Sequence, residues 1–175
     1  NALEINVVGK QWAWEVEYKN GYQTVNEIVV PIDQDVKLLM TSVDVIHSFF
    51  VPSFRVKQDV VPGRYTAIWF KADKLGEFHV FCTEYCGTSH SAMIGKLKVV
   101  SREDFDAYLA QGQEERSLPL AERGKKLFAL KACASCHSVD SPAPMVGPSL
   151  YQLFGKEETL ADGSKALVDE NYLRE

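Results

Sequence analysis

The sequence predicts an all-β sandwich over residues 1–100, followed by a small all-α domain. Three observations support this fold class. Short apolar segments recur between glycines and prolines as far as Val100, the apolar period lengthens to that of a helix after Ser101, and the four cysteines form two local pairs, one in each part. We therefore predict a sandwich domain (1–100), a helix and linker (101–118) and a second domain (119–175).

The first predicted elements form a β-hairpin. "WAWEVEY" alternates large apolar residues with small or charged ones, Asn20-Gly21 is typical of a type I′ turn, and "QTVNEIVV" supplies the returning strand. Further strands are predicted in "VKLLMTSV", "RYTAIWFKA", "GEFHVF" and "GKLKVV". Strands this short, at this spacing, favour an antiparallel sandwich with Greek-key connections.

The helical part begins at Ser101, whose pairing with Asp104 resembles a capping box. A short helix then carries an apolar face made of Phe105, Tyr108 and Leu109. "QGQEERSLP" predicts a polar linker. A second helix, "LAERGKKLFALKA", leads into "CASCH" and has an apolar face made of Leu120, Leu127 and Phe128. The remaining residues predict a region rich in loops.

Composition restricts the class of protein. A chain of 175 residues that is 46% hydrophobic can bury a core. Residues 101–175 carry 13 acidic and 9 basic side chains, which disfavours nucleic acid and suits a basic protein partner, although mild acidity is also ordinary surface composition. No apolar run approaches the about 20 residues that span a bilayer, and "NALEINVV" lacks the pattern of an export signal. We expect any membrane anchor to lie outside this sequence.

The segment "VFCTEYCGTSHSAMIG" concentrates side chains that bind metals. Cys82, Cys86, His90 and Met93 offer thiolate, imidazole and thioether, which favour copper over magnesium or calcium. A mononuclear blue-copper site needs one cysteine and two histidines, whereas this loop has two cysteines and one histidine. The second histidine can be His47 in "DVIHSFFVP", where a strand is predicted to give way to a loop. Because two cysteine sulfurs can each bridge two coppers, the set indicates a dinuclear copper centre that shares one electron.

Two other roles for these residues stay open. Cys82 and Cys86 could form a disulfide, or they could join His47 and His90 around a structural zinc. Zinc would not require Met93, and a disulfide would require neither histidine. These differences favour copper.

The second cysteine pair has a different chemistry. Cys133-Ala134-Ser135-Cys136-His137 is the C-x-x-C-H sequence at which c-type haem is attached, with both sulfurs bound to the vinyl groups and the histidine bound to iron. A C-x-x-C redox pair is the alternative, but the adjacent histidine and a preceding helix with Gly124 and Phe128 favour haem. His79, in contrast, lies within a predicted strand and is interpreted as a structural residue.

The motifs "CTEYCGTSHSAM", "DVIHSF" and "KQDVVPGR" resemble the CuA domain of cytochrome c oxidase subunit II, a cupredoxin-like β-sandwich. This resemblance covers nearly all of residues 1–100. It implies two coppers that are bridged by both cysteines, each copper being completed by one histidine and one weaker ligand. The implied ligands are Cys82, Cys86, His47 with Met93, and His90 with the backbone carbonyl of Glu84.

The same resemblance gives roles to two further side chains. It implies that Glu84 faces the catalytic subunit and shares a magnesium ion with it. Trp12 falls where the family has an aromatic residue at the surface that receives electrons. Trp12 and Trp14 share one face of the predicted strand, so both could instead be core residues, and Ala13 departs from the aromatic residue that the family often has there.

The C-terminal part extends the resemblance to the whole chain. "GPSL" is similar to the loop of class I cytochromes c whose proline packs near the proximal histidine, which implicates Gly147 and Pro148. The whole chain therefore resembles subunit II of caa3-type oxidases, in which a cytochrome c domain follows the copper domain. In that family the distal methionine lies beyond the segment "DENYLRE", so we expect a truncated cytochrome c domain and interpret Met145 as a packing residue.

The resemblance implies an electron-transfer subunit of a haem-copper terminal oxidase. Haem c would accept electrons from a cytochrome c or a quinol-oxidising complex and pass them to CuA, and CuA would pass them to haem a of subunit I, which reduces oxygen. The implied location is the outer, periplasmic face of the bacterial cytoplasmic membrane, reached through transmembrane helices that this sequence lacks.

Two alternative functions stay open. One is a CuA-containing component of a nitrous oxide or nitric oxide reductase, against which Glu84 argues because nitrous oxide reductases usually have tryptophan there. The other is a copper-delivery module without turnover, for which a haem has no evident use.

Overall fold

A computed structural model describes residues 2–130 and 133–173, in two compact units, 1–123 and 124–175. The first unit is a two-sheet β-sandwich with a helix at its end. Its strands are β1 Leu3–Lys10, β2 Ala13–Tyr18, β3 Gln23–Val25, β4 Glu27–Pro31, β5 Asp35–Ser42, β6 His47–Val51, β7 Val56–Val60, β8 Thr66–Lys71, β9 Gly76–Cys82 and β10 Ile94–Val100. The helices are α1 Arg102–Ser117 and α2 Leu120–Leu130.

The core of the first unit lies between two five-stranded sheets. Their strand orders are β3-β2-β1-β5-β8 and β4-β10-β9-β6-β7. Alternate apolar residues of each strand point into this core, such as Ile5 and Val7 on β1 and Leu38 and Met40 on β5, all of them buried. The predicted β-sandwich is confirmed.

Two strand pairs correct the prediction of an antiparallel arrangement. β1 pairs with β5 in parallel, and β4 pairs with β10 in parallel. The predicted strand "QTVNEIVV" is in fact two strands, because at Asn26, with φ of 59°, the chain leaves the first sheet for the second. The Asn26 side chain accepts from the Trp14 N–H at 2.8 Å. β4 belongs to the second sheet, so the chain crosses back to the first sheet to form β5. β5 is therefore not joined to its neighbour β1 by a hairpin, and the two strands run parallel.

The turn between β2 and β3 also differs from the prediction. A type I′ turn needs positive φ at both central residues, but of Asn20 and Gly21 only Gly21 has it, at 81°. The Tyr18 carbonyl accepts from the Gly21 N–H at 2.7 Å, and the Tyr18 N–H donates to the Tyr22 carbonyl at 2.9 Å. The loop therefore has three residues and ends in a left-handed glycine, a common hairpin geometry.

Three strands of the sandwich were not predicted from the sequence, namely β1, β6 and β7. The prediction that a strand gives way to a loop at His47 was wrong, because β6 begins at that residue. β1 carried a readable signal, since Ile5 and Val7 alternate with polar neighbours.

Helix α1 is longer than predicted. Its cap is confirmed, because the Ser101 side chain accepts from the Asp104 N–H at 3.0 Å. Phe105 is buried, as the predicted apolar face requires. The segment predicted as a linker is helical as far as Ser117, and a Cβ on Gly112 would lie 2.2 Å from Cγ of Tyr22. The glycine that suggested a linker thus lets the helix approach the Tyr22 ring closely.

The second unit is small and irregular. A single 3-10 turn, Cys133–Ser135, follows α2, and residues 131–132, where the second helix was predicted to end, lie outside the described residues. An unpredicted hairpin pairs β11 Glu157–Thr159 with β12 Lys165–Leu167, so the unit is not wholly helical. Among the described residues no helix is long and apolar enough to cross a membrane. The predicted domain limits stay a prediction.

Candidate metal centre

One end of the sandwich gathers the predicted metal-binding residues. His47 is the first residue of β6 and Cys82 is the last of β9, and these strands are neighbours in the second sheet, with Phe49 opposite Cys82. The loop after β9 supplies Cys86. The ligand atoms of His47, Cys82 and Cys86 all lie within 4.8 Å of one another, and all three side chains are buried.

The other predicted ligands surround the two sulfurs. The two Sγ atoms are 3.7 Å apart, and neither cysteine is in a disulfide. Around Cys86 Sγ lie His90 Nδ1 at 3.4 Å and Met93 Sδ at 3.8 Å. Around Cys82 Sγ lie the Glu84 carbonyl at 3.3 Å and His47 Nδ1 at 3.9 Å. All six residues predicted at the metal site are therefore brought together.

His47 is held by a carboxylate that the sequence reasoning missed. Asp44 Oδ1 lies 2.9 Å from His47 Nε2, so Nε2–H donates to the carboxylate and the lone pair of Nδ1 faces the sulfurs. Burial raises the pKa of Asp44, but hydrogen bonds from His47 and from main-chain N–H groups outweigh burial and hold this pKa below its ordinary value. A possible signal was the position of Asp44, three residues before His47.

A glycine makes room for the His47 ring. A Cβ on Gly9 would lie 2.9 Å from His47 Cδ2 and 3.2 Å from Cζ3 of Trp14. Trp14 itself is 1% exposed and packs its ring edge against His47, with ring centroids 5.8 Å apart. The imidazole is thus fixed by packing as well as by Asp44.

The pKa values of the two thiols are shifted in opposite directions. Burial raises the pKa of Cys82, but the neighbouring His47 imidazole and the main-chain groups around the sulfur outweigh burial and lower this pKa to about 6. Burial and the neighbouring Cys82 raise the pKa of Cys86 to about 12. The metal-free pair therefore loses its first proton from Cys82, and binding of a cation to both sulfurs would release the proton that remains on Cys86.

The two tryptophans at the start of β2 have different environments. Trp14 belongs to the core, whereas Trp12 precedes the strand and is half-buried over the cysteine loop. The Trp12 indole N–H donates to the Cys86 carbonyl at 3.1 Å. Trp12 thus contacts the metal-binding loop directly, and its role in receiving electrons stays a prediction.

Glu84 and His79 lie at the surface. The Glu84 side chain is exposed, and the Glu84 backbone carbonyl lies near Cys82. His79 is exposed on β9 and stacks on Phe81, with ring centroids 5.6 Å apart and an interplanar angle of 6°. His79 is not a member of the ligand cluster among the described residues, so its structural interpretation still fits.

The predicted haem-attachment residues lie on one turn. Cys133, Cys136 and His137 are half-buried, and the His137 N–H donates to the Cys133 carbonyl at 3.0 Å. His137 Nδ1 lies 2.8 Å from the carbonyl of Pro148. Since a carbonyl only accepts, Nδ1 carries the proton and Nε2 keeps a free lone pair for a metal.

Gly147 explains why "GPSL" can approach the histidine. A Cβ at this position would lie 2.5 Å from His137 Cε1, so only glycine fits. The Met145 N–H donates to the Gly147 carbonyl at 3.2 Å, and the Met145 side chain is 54% exposed. Met145 therefore belongs to the turn that supports His137 from its Nδ1 side.

The second unit also contains a cleft of about 380 Å³. Its lining combines an aromatic and an aliphatic side chain with polar neighbours: Gly124, Lys125, Phe128, Val139 and Asp140. Val139 and Asp140 follow His137 closely in the chain, and the Phe128 ring offers an aromatic face that suits a planar, largely apolar cofactor.

Comparison with known protein families finds a match for each part of the chain. Residues 21–100 match the family described as cytochrome c oxidase subunit II, periplasmic domain, and residues 121–174 match the cytochrome c family. The crystal structure of the periplasmic domain of subunit II of the cytochrome oxidase of Bradyrhizobium japonicum is 33% identical, with a TM-score of 0.62 over 65% of this chain and 94% of that one. The chain belongs to the cytochrome c oxidase subunit II family.

Longer relatives extend the match. The cytochrome c oxidase subunit 2 of Alkalihalophilus pseudofirmus is 34% identical over 165 residues, which are 92% of this chain and 48% of that protein. The heme-copper oxidase subunit 2 of Aeropyrum pernix is 41% identical over 110 residues, which are 60% of this chain and 47% of that protein. The chain thus spans about half the length of these curated relatives.

Proposed function

We propose that this chain is the electron-transfer part of a haem-copper terminal oxidase. It would pass electrons from a covalently bound haem c to a dinuclear copper centre, and from there to subunit I. The observation that carries this proposal is the buried group of two cysteine sulfurs 3.7 Å apart, flanked by His47, His90, Met93 and the Glu84 carbonyl.

The arrangement of the donors supports two copper ions. His47 lies beside Cys82 and His90 beside Cys86, so each sulfur has an imidazole next to it. Soft sulfur with imidazole is a donor set suited to copper, and the buried thioether of Met93 has no use in a structural zinc site. Copper held this way supplies one-electron redox chemistry. The chain contributes a buried cage in which ligand positions are fixed before the metal binds.

The second unit supports a haem. Cys133 and Cys136 would hold the porphyrin through thioethers, and His137 would ligate iron through Nε2, because Nδ1 is committed to Pro148. A haem bound there supplies one-electron transfer. Gly147 and Pro148 hold the plane and the tautomer of the histidine.

Partners and location follow as parts of the same proposal. Subunit I and other oxidase subunits would receive the copper domain at the outer, periplasmic face of the membrane, with membrane helices outside this sequence. The donor would be a cytochrome c or a quinol-oxidising complex. The exposed Glu84 side chain would share a magnesium ion with subunit I, and Trp12 would offer a second point for electrons to enter. Oxygen reduction would take place in subunit I.

The test is the electron paramagnetic resonance spectrum of the copper-loaded chain. The oxidised centre should show hyperfine splitting from two equivalent copper nuclei that share one unpaired electron. Cys86→Ser should abolish this shared signal, whereas the matched change Cys133→Ser should leave it intact. A spectrum from a single copper nucleus in the unchanged protein would rule out the dinuclear centre.

A further inference from the structure

Gln11, in the turn between β1 and β2, makes two contacts with the metal centre through different atoms. Its side-chain amide donates to the Cys86 carbonyl at 2.8 Å. Its main-chain N–H donates to Asp44 Oδ2 at 2.7 Å. The other oxygen of the same carboxylate is bonded to His47. One residue therefore joins the group behind His47 to the main chain of Cys86.

The site accommodates this amide closely. Gly87, which follows Cys86, has φ of 114°, and a Cβ there would lie 2.8 Å from the Gln11 amide nitrogen and 3.2 Å from Cζ2 of Trp12. Only glycine allows Gln11 and Trp12 to reach the Cys86 carbonyl together. With two donors on one carbonyl, the Cys86–Gly87 peptide plane is held against rotation.

Gln11 is itself an exposed residue. Its side chain does not fill the core, so shortening it removes the hydrogen bond to the Cys86 carbonyl without opening a buried cavity, and the main-chain bond to Asp44 remains. A role in the general stability of the fold would require a buried Gln11 side chain. A role in placing Cys86 requires only the two hydrogen bonds that Gln11 donates to Cys86 and Asp44.

We propose that Gln11 is a positioning residue that fixes the Cys86 side of the metal centre relative to the His47 side. It acts through the Cys86 carbonyl and the Asp44 carboxylate, and it touches no metal. In copper-loaded protein this inference rests on the proposed function, but the placement of Cys86 can also be measured without metal.

The metal-free test is the alkylation rate of each cysteine by iodoacetamide, read by peptide mass spectrometry. Gln11→Ala should raise the rate at Cys86 several-fold and leave the rate at Cys82 unchanged, because only the Cys86 main chain loses a tether. Gln11→Glu keeps the side-chain volume but replaces the hydrogen-bond donor with an acceptor, so it should also raise the alkylation rate at Cys86. Gln23→Ala, at an exposed glutamine on β3, is the matched control and should change neither rate.

The second readout is copper loss to a chelator, together with the spectrum of the loaded protein. Removing a partner outside the ligand shell costs about 10- to 100-fold in metal affinity, so Gln11→Ala should speed copper loss by about tenfold and make the two hyperfine couplings unequal. Trp12→Phe should also speed copper loss. The double variant should lose copper faster than the two single effects combined would give, since each single variant keeps one of the two donors to the Cys86 carbonyl.

The outcomes separate the two proposals. If Gln11→Ala changes neither the Cys86 alkylation rate nor copper loss, or if it raises both cysteine rates equally, the positioning role is wrong. If the unchanged protein lacks a two-copper spectrum, the proposed function fails, and the alkylation rates still decide the role of Gln11.

Discussion

At the scale of single residues, the ligands were predictable and their supports were not. Cys82, Cys86, His90 and Met93 lie in one short segment, so their types and spacing alone indicated a copper site. Asp44 and Gln11 were not predicted, because hydrogen bonding by a carboxylate or an amide leaves no periodic pattern in a sequence. Their roles depend on which strand ends meet, and only the fold reveals that.

A prediction at this scale concerns Asp44→Asn. Asparagine keeps the shape of the side chain but removes the charge that orients His47 through Nε2. We expect copper affinity, measured by chelator competition, to fall by about tenfold. Asp73→Asn removes the same charge from an exposed loop and should have no effect on affinity. Equal affinities for Asp44→Asn and the unchanged protein would show that the packing of Trp14 and the space at Gly9 suffice to orient His47.

At the scale of elements, the alternation of apolar and polar residues predicted the strands that have one polar face. β6 was missed because four of its five residues are buried, so "HSFFV" has no alternation to read. The parallel pairs were missed because strand direction depends on the crossing at Asn26, where a polar residue inside an apolar run was read as part of one strand. The second half of α1 was missed because "QGQEERSLP" was predicted to be a polar linker, whereas Gly112 in that segment marks a close contact of the helix with Tyr22.

One prediction concerns the pairing of β6 with β7. Ser48 donates to Asp59 Oδ1 at 2.7 Å, and Lys57 lies 3.3 Å from the same oxygen. These bonds, that of Ser48 first, hold the pKa of Asp59 below its ordinary value of 3.8. Because the unfolded chain binds this proton more tightly, Asp59 stabilises the fold above that value, and this contribution is lost as the pH falls through the folded pKa.

The measurement is urea unfolding of metal-free protein at several pH values. In the unchanged protein the unfolding free energy should decrease as the pH falls below about 4. Asp59→Asn should make this decrease smaller. The difference should be small, because the Asp59 side chain is half-exposed and its charge is screened by solvent. Asp73→Asn is the control for loss of charge. A decrease as steep as that of the unchanged protein would contradict the assignment.

A further prediction concerns the contact of α1 with the first sheet. Alanine favours a helix over glycine by about 1 kcal/mol, but a Cβ at Gly112 would lie 2.2 Å from Tyr22. Overpacking costs about 1–3 kcal/mol, so Gly112→Ala should lower the urea midpoint followed by tryptophan fluorescence. Gly124→Ala is the matched control in α2, since no described atom lies within 4 Å of its added Cβ. It should preserve or increase helix content by circular dichroism. A higher midpoint for Gly112→Ala would mean that the Tyr22 ring moves aside.

At the scale of the whole molecule, the two units are stabilised differently. The first encloses a core of more than twenty buried apolar side chains, including Trp14, Phe49 and Leu97. In the second, Val168 is the only described side chain classed as buried. With so little apolar burial, the described part of this unit needs a further source of stability. A haem attached at Cys133 and Cys136 would supply that missing apolar surface.

The last prediction follows from this difference. Changing Cys133 and Cys136 to serine together should prevent haem attachment, so residues 124–175 should become rapidly digestible by trypsin, which can cut at Lys125, Lys126 and further sites. The sandwich should persist as a resistant product and keep its two-copper spectrum, because its core is complete within residues 1–123. Cys86→Ser is the reciprocal control. This variant should lose the shared copper signal while residues 124–175 stay resistant to trypsin. Equal trypsin resistance of residues 124–175 with and without the two cysteines would mean that the second unit folds on its own apolar contacts. Loss of the copper signal from the double serine variant would mean that copper binding depends on the haem unit.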